Sequence, residues 1–110
     1  MSSDIAQRWR VLEQQLTEQF GKKPDLNSIL LLIGIRELGT VKEEFSKQEK
    51  VDLMHIAVCK LLSQQDYYKL EGLDQDGWPH WKLVKPLPFI NVFEQEIYLR
   101  ELVLDYFDNL

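Results

Sequence analysis

The chain has 110 residues, 45% of them hydrophobic and 28% charged, with a formal net charge of −5 at pH 7. That length suits one domain that buries a core without disulfides or metal. The acidic balance works against nonspecific attraction to phosphate backbones or anionic membranes.

The stretch SSDIAQRWR lacks the apolar segment of a secretory signal. The single cysteine, Cys59, cannot form an internal disulfide and lies in an apolar segment, which points to a reducing compartment. A cytoplasmic protein is expected. Ile5, Trp9, Leu12, Leu16 and Phe20 recur at helical spacing and predict an amphipathic helix over residues 4 to 20. Asp4 is placed to cap it and Gly21 to end it, with Lys22, Lys23 and Pro24 as connector.

The sequence is organised around its second helix, DLNSILLLIGIRELG from Asp25 to Gly39. Asp25 suits the N-cap, and Gly39 suits the left-handed residue that closes a helix. Leu26, Ile29, Leu30, Leu31, Leu32, Ile33, Ile35 and Leu38 fall all round this helix rather than on one face. Such a helix must be covered on most sides, by the core or by a subunit contact. The run is too short to span a membrane, which takes roughly 20 apolar residues. A polar bridge over Thr40 to Phe45 follows.

Ser46 and Glu49 fit a capping box, so a third helix is expected from Lys47 to about Gln65. Its buried face is read as Val51, Met54, Val58, Leu61 and Leu62, with Asp52, Cys59 and Ser63 opposite and His55 at the margin. Ile56 falls on that opposite side and implies some cover there.

Tyr67 to Pro88 is the least helical stretch. Asp76-Gly77 predicts a two-residue type I′ hairpin. That turn sets Leu70 opposite Leu83, Glu71 opposite Lys82, and Gly72 opposite Trp81; Pro79 confines the second strand to an edge. The alternative is a third helix that runs on through Tyr68 to Gly72 and leaves an irregular loop. Beyond Pro86 and Pro88, Asn91 and Glu94 mark a final helix from Val92 to Phe107. It carries two apolar faces, one of Phe93, Ile97, Leu104 and Phe107, the other of Leu99, Leu102, Val103, Tyr106 and Leu110. The fold expected is mainly α: a four-helix bundle-like domain, residues 1 to 110, with a short β-hairpin or ordered loop between the third and fourth helices.

Few residues carry chemistry. Asp52, His55 and Cys59 share helical spacing, but a structural zinc site takes four ligands, usually with paired cysteines. Asp74-Gln75-Asp76-Gly77 resembles the start of a calcium loop, yet its glycine comes two places early and the twelfth position is Lys85, so a turn is the better reading. No catalytic group, metal or cofactor is expected. The binding candidates are Trp78, His80 and Trp81 in the loop, with Tyr68 and His55, because aromatic side chains near an exposed turn suit a recognition surface. The plainer reading folds Trp78 and Trp81 back over the helices.

Three functions follow. The surplus of apolar faces favours a non-catalytic protein-interaction module that forms a homodimer or binds a protein partner. The order of helices and hairpin also fits a winged-helix DNA binder. Its third helix would read the major groove, but it offers Asp52, His55, Cys59 and Ser63 where Arg, Lys, Asn or Gln are needed. The third is a small enzyme or ligand carrier with a pocket under the Trp78–Trp81 loop, using His55, Asp52, His80 and Tyr68.

Overall fold

The computed structural model describes residues 2–39, 42 and 44–110. It is mostly helical, with α1 (Ser2–Phe20), α2 (Leu26–Leu38), α3 (Lys47–Ser63) and α4 (Val92–Asp108). Strands β1 (Tyr68–Leu73) and β2 (Pro79–Leu83) pair antiparallel between α3 and α4. The bridge expected over residues 40 to 45 includes Thr40, Val41 and Glu43, which lie outside the described residues. Among the described residues no helix is long and apolar enough to cross a membrane.

Asp4 lies inside the first turn of α1 rather than at its cap, where a carboxylate still complements the helix dipole. Trp9, Leu12 and Leu16 are buried, but Phe20, the last residue of α1, is exposed. Gly21 turns left-handed with φ +78° and donates its N–H to the Thr17 carbonyl at 2.8 Å, which closes the helix.

Both caps of α2 form as the sequence predicts. The Asp25 carboxylate accepts the Ser28 N–H at 2.8 Å, and Gly39, at φ +73°, donates to the Ile35 carbonyl. Ile29, Leu30, Ile33 and Gly34 face the core, while Leu31, Leu32, Ile35 and Leu38 are half-buried. The apolar circumference of α2 is therefore covered fully on one side and partly on the other.

The capping box of α3 is complete, because Ser46 Oγ accepts the Glu49 N–H and the Glu49 carboxylate accepts the Ser46 N–H. The helix ends at Ser63, before the expected Gln65. Asp66 then takes φ +65° and the Tyr67 N–H returns to the Leu62 carbonyl, which turns the chain into β1. The buried face is broader than the predicted one: Leu61 and Leu62 lie in the core with Met54 and Val58 packed against it, and the opposite side is covered as well. Val51 is exposed and Met54 and Val58 are half-buried; Leu53, Ile56, Ala57 and Cys59 join Leu61 and Leu62 inside. The cause is the close approach of α2, whose Gly34 lies against the backbone of Leu53 and draws that side of α3 inward.

On α4 the Asn91 side chain accepts the Glu94 N–H at 2.8 Å, while the Glu94 carboxylate accepts the Ile90 N–H at 3.3 Å. Leu99, Leu102, Val103 and Tyr106 are buried as one face; Leu110, past the helix end, is exposed. The other face divides along its length. Leu104 is buried and Phe107 half-buried where α1 lies across α4, with Arg8 paired to Asp105 and Asp108 and the Arg100 guanidinium 5.1 Å from the Trp9 ring centre. Phe93 and Ile97, nearer the start of α4, are exposed. The core thus joins residues of all four helices, with Tyr67, Tyr68, Phe89 and Tyr98 packed at its edge.

The hairpin exists, but its register differs from the expected one. Tyr68 pairs with Leu83, Lys69 with Lys82 and Leu70 with Trp81; past a bulge at Glu71, Gly72 pairs with His80 and Leu73 with Pro79. A type I′ turn needs positive φ at both central residues, and only Gly77, at φ +86°, has it; Asp76 does not. The chain instead closes a three-residue loop. The Asp74 N–H donates to the Trp78 carbonyl at 2.9 Å and the Gly77 N–H to the Asp74 carbonyl at 3.0 Å.

Candidate functional site

Asp74 organises the end of the hairpin. One carboxylate oxygen accepts the backbone N–H groups of Asp76 and Trp78, each at 2.9 Å. The other lies 3.1 Å from His80 Nε2. These bonds, that from the Trp78 N–H foremost, hold the Asp74 carboxyl below its ordinary pKa. Asp74 thereby positions two of the sequence candidates, Trp78 and His80.

Both line an open cleft of about 550 Å³ between the turn and the first turns of α3, together with Pro79, Glu49, Asp52, Asp74 and Asp76. Its walls are acidic, but most carboxylates there already have donors. Glu49 is bound by Lys42 at 2.8 Å and by the Ser46 N–H, which lower its pKa in that order. Asp52 accepts from the Gln48 side chain at 3.0 Å. Among the described residues no group of three or more His, Cys, Asp or Glu side chains is arranged to hold a metal ion.

The other candidates stand elsewhere. Tyr68 and Trp81 share the opposite face of the ribbon, because strand alternation puts the pairs Tyr68–Leu83 and Leu70–Trp81 on one side. Each is half-buried, and Tyr68 packs at the edge of the core, where burial raises its hydroxyl pKa. Trp81 Nε1 is buried without a hydrogen-bond partner among the described residues. His55 is exposed on α3, its Nε2 3.5 Å from Cys59 Sγ, and it does not line the cleft. The five candidates thus separate into Trp78 with His80 at the cleft, Tyr68 with Trp81 on the far face, and His55 alone with Cys59.

That last pair is not an activated nucleophile. Cys59 is fully buried, and burial pushes its thiol up to about 12, so the sulfur stays protonated at neutral pH. Nor do Asp52, His55 and Cys59 converge, since the Asp52 carboxylate is turned to Gln48 and the cleft.

Besides the exposed hairpin residues Leu70, Leu73, Leu83 and Val84, two further apolar regions stand out among the described residues. A groove of about 270 Å³ lies between the end of α1 and the outer side of α2, lined mainly by Phe20, Pro24, Leu31, Leu32 and Ile35. The second surface runs from Leu87 through Ile90, Val92 and Phe93 to Ile97, all of them exposed. Of these, Phe93 and Ile97 were legible as helix positions. Leu87, Ile90 and Val92 carried a subtler signal, the absence of any charge between Lys85 and Glu94. Compared with known proteins, the chain matches no family model, no curated protein and no solved structure.

Proposed function

We propose that this chain is a non-catalytic protein-interaction module that self-associates. In this reading it is one helical, bundle-like domain, working in a reducing compartment. The observation that supports it is the apolar stretch from Leu87 to Ile97, whose Leu87, Ile90, Val92, Phe93 and Ile97 no described element covers. Apolar patches at the upper end of what monomers expose often serve as contact surfaces, because leaving them wet forfeits hydrophobic free energy. The protonated, buried Cys59 and the dispersed histidines favour a role without covalent chemistry. Four carboxylates at the cleft beside α3 weigh against a duplex phosphate backbone there.

Sedimentation velocity across a micromolar concentration series tests the reading. A sedimentation coefficient that rises toward the dimer value with concentration is expected. A constant monomer value at every concentration would overturn self-association.

A further inference from the structure

We infer that a second copy of this chain docks on the Leu87–Ile97 surface, patch against patch across a two-fold axis. This rests on the self-association reading and names its contact. The exposures are large: Ile90 90%, Val92 79%, Phe93 71%, Ile97 49% and Leu87 36%. Phe89, within the same stretch, turns inward and packs on Tyr98 with ring centres 6.1 Å apart. The outward residues are therefore presented by an anchored segment. Pro86 and Pro88 restrict the backbone before Ile90, and the Ile90 N–H is tied to Glu94 at the start of α4. Little ordering entropy remains to be lost on association.

Area selects the class of partner. Weighted by their exposures, these five residues present on the order of 600 Å², at the top of the range for the largest patch on a monomer. Buried completely on both copies, these residues would remove at most on the order of 1,200 Å², the lower limit of stable interfaces. A two-fold contact uses one patch twice and needs no second complementary surface. The groove beside Phe20 is narrower, and its α2 wall is already half-buried.

Charge points the same way. Each copy carries −5, so two copies approach with least repulsion where charge is absent, and Pro86 to Phe93 holds none. Lys85 bounds the stretch at one end and Glu94 at the other. Laid antiparallel on its own copy, such a segment brings unlike charges near one another at both ends, with Lys85 Nζ also 4.4 Å from the Tyr67 ring centre and Glu94 also accepting the Ile90 N–H.

The test is sedimentation of the full chain and of three variants, each checked for an unchanged helical circular-dichroism spectrum and melting midpoint. Ile90→Ser and Phe93→Ser should each weaken dimerisation by roughly tenfold, whereas Phe20→Ser, at the groove, should leave it within about twofold. A dimeric wild type that neither patch variant weakens, or that only Phe20→Ser weakens, would overturn this contact and leave self-association standing. A wild type that stays monomeric would overturn both. If a serine variant loses its fold, Val92→Ser, at a residue 79% exposed, serves instead and should weaken the dimer several-fold; no change would overturn the contact.

Discussion

Gly34 of α2 lies directly against the backbone of Leu53 on α3. A Cβ built on Gly34 stands 2.1 Å from the Leu53 carbonyl oxygen and 2.7 Å from its carbon. Backbone cannot swing aside as a side-chain tip can, so the two helices would have to separate. Gly34→Ala should therefore destabilise the protein by at least about 2 kcal/mol, as overpacking does, despite the better helix propensity of alanine. Urea unfolding checks this. An unchanged midpoint would show that the crossing is looser than the geometry indicates.

Tyr106 ties α4 to α2 by donating its hydroxyl to Glu37 at 2.5 Å, and Lys60 of α3 lies 3.8 Å from the same carboxylate. Burial, then the bond to Glu37, raises the Tyr106 pKa, so the hydroxyl remains a donor at neutral pH. Tyr106→Phe should cost about 1.5 to 3 kcal/mol, the range for a hydrogen bond to a charged group. In a double-mutant cycle with Glu37→Gln the losses should be well short of additive. Additive losses would show that the two side chains act independently.

The Asp74 turn should weaken in acid. Its folded pKa lies below the ordinary 3.8, so the stabilisation is present above that value and disappears as pH falls through the folded one. Amide exchange of Asp76 and Trp78, both bonded to this carboxylate, should accelerate there relative to core amides. Asp74→Ala should remove that acid step and leave the helices folded.

Cys59 should resist thiol reagents in the native state at mildly alkaline pH and react once the chain is unfolded by urea. Its folded pKa, about 12, lies above the ordinary 9.0. Its contribution is therefore intact below pH 9 and is lost as pH rises from there toward 12. Rapid native-state labelling would show that the helix interface opens readily.

Local chemistry was legible in the sequence because it acts over one to four residues. The caps at Asp25, Gly39, Ser46 and Asn91 need only a side-chain oxygen or a left-handed glycine at the right offset, and all four form. So was the succession of four helices, whereas the sequence left a hairpin or an ordered loop open before the last, and the structure has the hairpin. Quantities that depend on what comes near were hidden. The buried side of α3 follows from Gly34, a residue that adds nothing to a hydrophobic pattern yet lets two backbones touch. The strand register turned on whether Asp76 would take positive φ. It did not, so the Asp74 bonds and the bulge at Glu71 chose a different alignment. Periodicity placed Phe93, Ile97 and Leu104 on one stripe of α4. Only the path of α1 across that helix decided that Leu104 is sealed while Phe93 and Ile97 remain open. A sequence specifies which faces are apolar, whereas the tertiary arrangement decides which of them the chain has enough partners to cover.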